Sequence, residues 1–383
     1  MRSFLLGVAC TVLIALAAAL LFLYFPISGN ARRPDSLAAM KKVSEVERLI
    51  RAKALDEVDG GAQVDAMIEG MVAGLDDLYA DYYTKEEYAE VRRSHAGRMQ
   101  GIGVVIAQDL ETGYLRIISV QDDSPAQKAG IQEDDILLSV GGEDMAGKTS
   151  TDAAAAIQAT EGPVTLTVRR GATETLEFTM EKADIKTSSV SFDMLEDGIG
   201  YIHISTFNDL TPEQFGEGLA TLREEGMHAL IIDLRNNLGG LVNACCDTVS
   251  QILPKGVILY EQDRVGGERH LDSAGKTPID IPLVLLVNGY TASASEIFTG
   301  AVRDYGIATI VGEQTYGKGV EQNTYILADG SALKLTTTVY YTPSRENIND
   351  IGITPDVVVE LTEEDEEDMQ LAKALEILSE KKG

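Results

Sequence analysis

The chain has 383 residues, 44% of them apolar, and a formal net charge of −29. That length leaves room for about two or three domains, and the apolar share supports packed cores rather than disorder. The acidity excludes nucleic acid as a partner, since phosphate binding needs a basic face. Three cysteines and four histidines, in no Cys-x-x-Cys or His-Glu-x-x-His spacing, supply neither a disulfide framework nor a recognisable metal centre.

Residues 4–25 form an uncharged apolar run long enough to cross a hydrocarbon core as a helix. Two readings compete: a retained single-pass anchor within 1–30, and a signal peptide cleaved near Ala17-Ala-Ala19. The run continues well past those alanines, which favours the anchor. Beyond Pro34, the residues Ala39, Val43, Val46 and Ile50 recur at alternating four- and three-residue spacings. This predicts an amphipathic helix suited to self-association as a homodimer. Gly60-Gly61 breaks that helix. Val64, Met67, Ile68, Met71, Val72, Leu75, Leu78 and Tyr79 then mark a second one with a single apolar face, its methionines filling core space.

From 101 to 182 the pattern turns to short strands, at 101–106, 115–120, 135–142, 164–168 and 175–180. Short helices at 124–130, closed by Gly130, and at 151–158 complete one small β-rich domain. From 199 onward strands and helices alternate. Strands at 200–204, 229–234, 282–287 and 309–311 enclose helices at 212–223, 242–253 and 296–302, and strands at 324–327 and 332–340 follow. The alternation predicts a βαβ-type α/β core with ligand sites at the carboxyl ends of its strands. Cys245 and Cys246 are adjacent, cannot pair without strain, and read as small buried helix residues. The run Glu363-Glu-Asp-Glu-Glu-Asp368 opens an acidic, solvated C-terminal segment, 363–383.

Ser293, in Asn288-Gly-Tyr-Thr-Ala-Ser-Ala-Ser-Glu296, sits between the 282–287 strand and the 296–302 helix. A serine at such a corner projects its hydroxyl above the sheet, and the helix N-terminus beneath it favours developing negative charge. The hydroxyl needs a base. Lys318, in Thr315-Tyr-Gly-Lys-Gly319, can be that base if desolvation lowers its pKa towards working pH. A lone lysine in a glycine-rich loop is otherwise a solvated surface residue. The rival chemistry is a Ser-His-Asp triad drawn from His203 and Asp233.

Taken in order, four motifs resemble those of the C-terminal processing (tail-specific) serine peptidases, above all the bacterial membrane-anchored members. They are Asp233-Leu-Arg-Asn-Asn-Leu-Gly-Gly240, Val287-Asn-Gly-Tyr-Thr-Ala-Ser-Ala-Ser-Glu296, Val311-Gly-Glu-Gln-Thr-Tyr-Gly-Lys-Gly319 and Tyr340-Tyr-Thr-Pro343. The resemblance implies a crotonase/ClpP-like βαβ peptidase core at 183–362, an inserted PDZ domain at 96–182 and an N-terminal helical region at 31–95. It implies Ser293 as nucleophile, Lys318 as general base, Gln322 as the residue orienting the lysine amine, and the N–H groups of Gly239 and Ala294 as the oxyanion hole. Gly101, Ile102, Gly103 and Val104 match the loop that receives a peptide's terminal carboxylate, Ile102 and Val104 lining an apolar pocket. No helix follows that Gly-x-Gly, so it is not a dinucleotide fingerprint. Arg169 or Arg170 stands where relatives carry a gating basic residue.

Gln322 is a neutral acceptor, able to hold an amine without favouring its charged form. Glu313 and Glu321 flank the lysine loop and should point away, since a paired carboxylate would raise the lysine pKa. Thr291 and Leu238 depart from the family's usual residues without touching the dyad set. The implied protein is a serine endopeptidase of the bacterial cell envelope, with its catalytic part outside the cytoplasm. It is tethered by its N-terminal helix (or secreted if the leader is cleaved) and acts on proteins with apolar C-termini, without metal or cofactor. The alternatives are a PDZ scaffold on a degenerate core and a crotonase-like acyl-CoA enzyme. The complete Ser293, Lys318 and Gln322 set opposes the first; the PDZ segment and lysine loop oppose the second.

Overall fold

The computed structural model describes residues 36–108, 113–361 and 367–380. The apolar run 4–25 and its reading as an anchor lie outside them. Among the described residues no helix is long and apolar enough to cross a membrane. The chain divides into two compact units, one ending at Met67 and the other starting at Ile68.

In the first unit, α1 (Ser36–Lys53) is followed by the start of α2 (Gly60–Ala73). The two glycines open α2 rather than break a helix, because Asp59 caps it. Its carboxylate accepts from the Gly61 N–H at 2.7 Å, and its carbonyl from the Gln63 N–H at 3.1 Å. Val43, Val46, Val64 and Met67 remain exposed, so the expected core role of Met67 is not what the fold gives it.

In the second unit α2 ends at Ala73, short of the Tyr79 that its periodicity predicts. Gly74 and the left-handed Asp76 (φ 54°) turn the chain there. The strand β1 (Asp81–Tyr83) and helix α3 (Lys85–His95) follow, the latter opened by a Thr84/Glu87 capping box.

The β-rich body consists of β2 (Arg98–Gly101), β3 (Val104–Gln108), β4 (Leu115–Val120), α4 (Pro125–Ala129), β5 (Ile136–Val140), β6 (Glu143–Asp144), α5 (Ser150–Ala159), β7 (Val164–Arg170) and β8 (Glu174–Met180). Its sheet runs β3-β4-β5-β7-β8, with β6 beside β5. The side chains of Ile117, Leu137, Leu166 and Val168 form its core. The strand expected at 101–106 is split in two by Gly103, at φ 80°. A Cβ there would lie 2.3 Å from that of Ser124, so only glycine fits. On the N-terminal side of this kink β2 pairs antiparallel with β9 (Ala183–Lys186) in a separate two-stranded sheet. That leaves β3 as an edge strand with one side unpaired.

The remaining elements are β10 (Val190–Leu195), β11 (Ile199–Ile204), α6 (Thr211–Glu224), β12 (Ala229–Asp233), α7 (Val242–Val249), β13 (Gly256–Asp263), β14 (Glu268–Ser273), β15 (Leu283–Val287), α8 (Ala294–Asp304), β16 (Thr309–Gly312), β17 (Val320–Ile326), β18 (Ala332–Tyr341), β19 (Val357–Val358) and α9 (Met369–Glu380). The main sheet runs β10-β11-β12-β15-β16-β19, parallel from β11 onward. Every residue of β12 and β15 is buried, as parallel strands covered on both faces require. One face packs Ile232 and Leu285 against Phe215 and Phe298. The other packs Ile231 and Val284 with Leu378 of α9. The segment expected as an acidic tail therefore carries a helix that covers the sheet. A second sheet, β1-β18-β13-β14 with β17 beside β18, stands next to it.

Candidate active site

The buried strand β15 delivers the chain to Asn288, and the loop beyond it is laced to the loop following β12. Asn288 Oδ1 accepts from Asn236 N (3.0 Å), and Asn288 Nδ2 donates to Asn236 Oδ1 (2.9 Å). The Thr291 hydroxyl donates to Leu234 O (2.9 Å), and that of Ser295 to Asn237 O (3.0 Å). Ser293 stands between these ties with φ 56° and ψ −118°, a region L-residues rarely occupy. Holding a residue there costs about 1–3 kcal/mol, so its surroundings must over-determine it.

Glu296 does so. The residue is fully buried, and its carboxylate accepts four hydrogen bonds. Oε2 takes the backbone N–H groups of Ser293 (2.9 Å) and Lys318 (2.8 Å). Oε1 takes the Thr315 hydroxyl (2.6 Å) and the Gly317 N–H (2.7 Å). Burial pushes its pKa up, while the four donors pull it back. With every lone pair answered by a donor, the carboxylate is suited to its ionised form. One buried side chain thus clips the serine corner to the lysine loop. Sequence reasoning placed Glu296 only as a helix residue, although a Ser-x-x-Glu spacing at a helix start is a capping signal.

Burial lowers the Lys318 pKa, and the charge of Lys334 adds to this, while Asp77 and Glu296 oppose it. Among the described residues the amine makes no hydrogen bond to Ser293. Its Nζ lies over the Tyr79 ring, 4.4 Å from the centroid. Gln322 donates through Nε2 to the Thr336 hydroxyl (3.1 Å). Thr336 in turn donates to Asp77 Oδ1 (3.0 Å). Tyr340, buried between the two loops, donates its hydroxyl to Lys318 O, and the Ser293 side chain is within its hydrogen-bonding reach. Glu313 and Glu321 turn away from the lysine, as the sequence requires. Glu313 accepts from Leu361 N. Glu321 faces Glu261, Arg269 and Thr338, and burial with the Glu261 charge raises its pKa to about 7.

Gly239 has φ 106°, and a Cβ on it would meet Ala292 O at 2.9 Å and Ala294 N at 3.0 Å. The two backbone donors of the expected oxyanion hole are therefore close neighbours. The Ala294 N–H, at the start of α8, has no acceptor among the described residues. The Gly239 N–H is held by Asn237 Oδ1 at 2.9 Å. Cys245 and Cys246 are free and buried, and the Cys245 thiol donates to Ala294 O (2.9 Å) beneath the serine corner. The rival triad does not assemble. Asp233 is taken by Tyr201 (2.7 Å) and Arg235 (2.6 Å), and among the described residues His203 makes no hydrogen bond to Ser293.

In the β-rich body, Gly101, Ile102, Gly103 and Val104 line a cavity of about 370 Å³ together with Ile157 of α5 and Ile185 of β9. Among the described residues the N–H groups of Ile102 and Gly103 have no acceptor. Arg170 is committed to Asp135 (2.7 and 2.8 Å) and to Gly130 O (2.9 Å). Arg169 lies over the Tyr114 ring at 5.0 Å.

Residues 198–359 match the model of peptidase family S41, and residues 116–170 that of the PDZ domain. Among curated proteins, the carboxyl-terminal-processing protease of Synechocystis sp. is 37% identical over 300 residues, 76% of this chain and 70% of the relative. A probable CtpA-like serine protease of Staphylococcus haemolyticus is 32% identical over 93% of this chain and 71% of its own. Among solved structures, a photosystem II D1 C-terminal processing protease aligns with TM-score 0.50 and 28% identity, covering 83% of this chain and 86% of its own. An S41 protease structure from Bacteroides fragilis shares the fold, with TM-score 0.55 and 16% identity over 85% of this chain and 92% of that one.

Proposed function

The chain belongs to peptidase family S41, as a C-terminal processing serine peptidase with a PDZ domain, and from that premise we propose that it works through a Ser293–Lys318 dyad outside the cytoplasm. Ser293 Oγ attacks the scissile carbonyl while neutral Lys318 Nζ takes its proton. The oxyanion falls to the N–H groups of Ala294 and Gly239, the latter once Asn237 releases it. The protonated amine then gives its proton to the departing amine, and water, deprotonated by the same lysine, hydrolyses the acyl-enzyme. Gln322 orients the amine through its free Oε1, since its Nε2 is spent on Thr336.

The observation that carries this reading is the Glu296 clip, which joins the backbone of Ser293 and that of Lys318 on one carboxylate oxygen. The substrate's C-terminus enters the groove beside β3, its carboxylate meeting the unpaired N–H groups of Ile102 and Gly103 and its last side chain the apolar cavity. The domain limits 96–182 and 183–362 follow from this division of labour, with the core extending through α9. Tethering by 4–25 and self-association through the exposed α1–α2 face complete the proposal. The test is peptide release from a substrate ending in apolar residues. Ser293→Ala should abolish it, and undiminished hydrolysis would rule the mechanism out.

A further inference from the structure

The catalytic core in this structure is not closed by its own strands alone. The turn Asp77–Tyr79, which precedes the whole β-rich body in sequence, reaches β18, the partner of the strand β17 that carries Gln322 and directly follows the Lys318 loop. Asp77 Oδ2 accepts from Thr336 N at 3.2 Å and Oδ1 from the Thr336 hydroxyl at 3.0 Å. β1, just beyond the turn, pairs with β18 at Asp81↔Lys334. The attachment is therefore built from backbone ladder and side chain together. It brings the Tyr79 face to Lys318 Nζ, 4.4 Å from the ring centroid.

We propose that Tyr79 is a positioning residue that parks Lys318 as its ammonium ion, and that turnover requires the amine to leave this ring for Ser293. The inference rests on the dyad reading. A ring face attracts a cation and has no comparable attraction for a neutral amine, so the parked form is the protonated one. That pull opposes the burial that favours the neutral base. Thr336 keeps the second component aligned. Its hydroxyl hydrogen is spent on Asp77, so it can only accept from Gln322, and the amide must offer Nε2 to it and leave Oε1 free. The amine, once released, finds a fixed acceptor waiting. The charged groups facing Lys318 are Asp77 on the turn, Lys334 on β18 and Glu296 on α8, and none of these changes when the Tyr79 ring alone is altered.

The experiment is kcat/KM against pH on a peptide with an apolar C-terminus, using the full chain and the variants Tyr79→Leu, Tyr79→Phe and Ser293→Ala. Only the neutral amine is a base, so activity appears as pH rises through the lysine pKa. Leucine keeps the site dry but removes the ring, so the acid limb should move down by roughly 0.4 to 1.5 pH units. Well below the limb that is about a two- to thirty-fold gain in rate. Tyr79→Phe keeps the ring and should restore the limb to its original place, which a merely structural role would not require. Should the leucine variant fold poorly, phenylalanine and its increasingly fluorinated analogues at 79 supply the same test at nearly constant volume, the limb falling stepwise as fluorine weakens the ring's field. A limb that stays put or rises, with activity still abolished by Ser293→Ala, overturns the parking role alone. Activity surviving Ser293→Ala overturns the dyad on which it rests.

Discussion

Replacing Glu296 tests the clip between the two loops, and the hydrogen bonds predict different outcomes for two substitutions. In Glu296→Gln one carboxylate oxygen becomes an NH₂ group. Placed at the Oε2 position it would confront two backbone donors, Ser293 N and Lys318 N. Placed at Oε1 it confronts Gly317 N and the Thr315 hydroxyl, which can rotate to accept. The amide should therefore settle with its nitrogen towards Thr315, stranding one buried N–H at about 1–3 kcal/mol. The two bonds at the other oxygen survive but lose their charge assistance. A total of roughly 2–4 kcal/mol is expected, with the serine corner still formed and measurable turnover. Glu296→Ala strands all four donors, roughly 4 kcal/mol or more, a large part of a typical domain's 5–15 kcal/mol. Urea denaturation reads the stability through its midpoint, and peptide hydrolysis on the same samples reads the geometry. An alanine variant within about 0.5 kcal/mol of the parent and fully active would refute the clip.

Three further outcomes are expected. Glu321 has its pKa raised in the folded state to about 7 from 4.5, so it favours folding fully below about pH 4.5, and that contribution is lost as pH rises through 7. Glu321→Gln should therefore gain stability over the parent between pH 5 and 8 by about 1–3 kcal/mol, measured by denaturation at both ends; a parallel pH dependence would contradict this. At Gly239, alanine must adopt φ 106° and meet backbone within 3.0 Å, so Gly239→Ala should lose about 10²–10³ in kcat, read by steady-state hydrolysis. Gly103→Ala should weaken binding of apolar tail peptides, measured calorimetrically, because its Cβ collides with Ser124. Unchanged affinity would place the tail elsewhere.

What the sequence revealed of this site, and what it hid, divides along contact range. The serine corner was legible because its cause is local: the apolar run of β15, a loop, then the helix α8. The two halves of the oxyanion region were legible as a glycine pair and a helix start at strand ends. Long-range pairings were not. The β13–β14 hairpin and α3 carry polar residues on their exposed sides and left no clean period; the burial pattern of α3 contains no fully buried residue. Tyr79 read as the end of an apolar helix face, but the helix stops at Ala73 and the turn at Asp76 sends Tyr79 to Lys318 instead. Gln322 was identified as a partner of the lysine, whereas its visible bond goes to Thr336 of the neighbouring strand. Only the fold, by pairing β18 with both β17 and β1, brings those residues together.

The most direct measurement is the rate at which a fluorophosphonate labels Ser293, followed by mass spectrometry across pH in the parent, Lys318→Ala and Lys318→Arg proteins. A neutral lysine base predicts labelling of the parent that rises with pH, and at least about a hundred-fold slower labelling in both variants, since arginine stays protonated. Labelling of Lys318→Arg at the parental rate would contradict the account, because no neutral amine would then be needed to activate the serine.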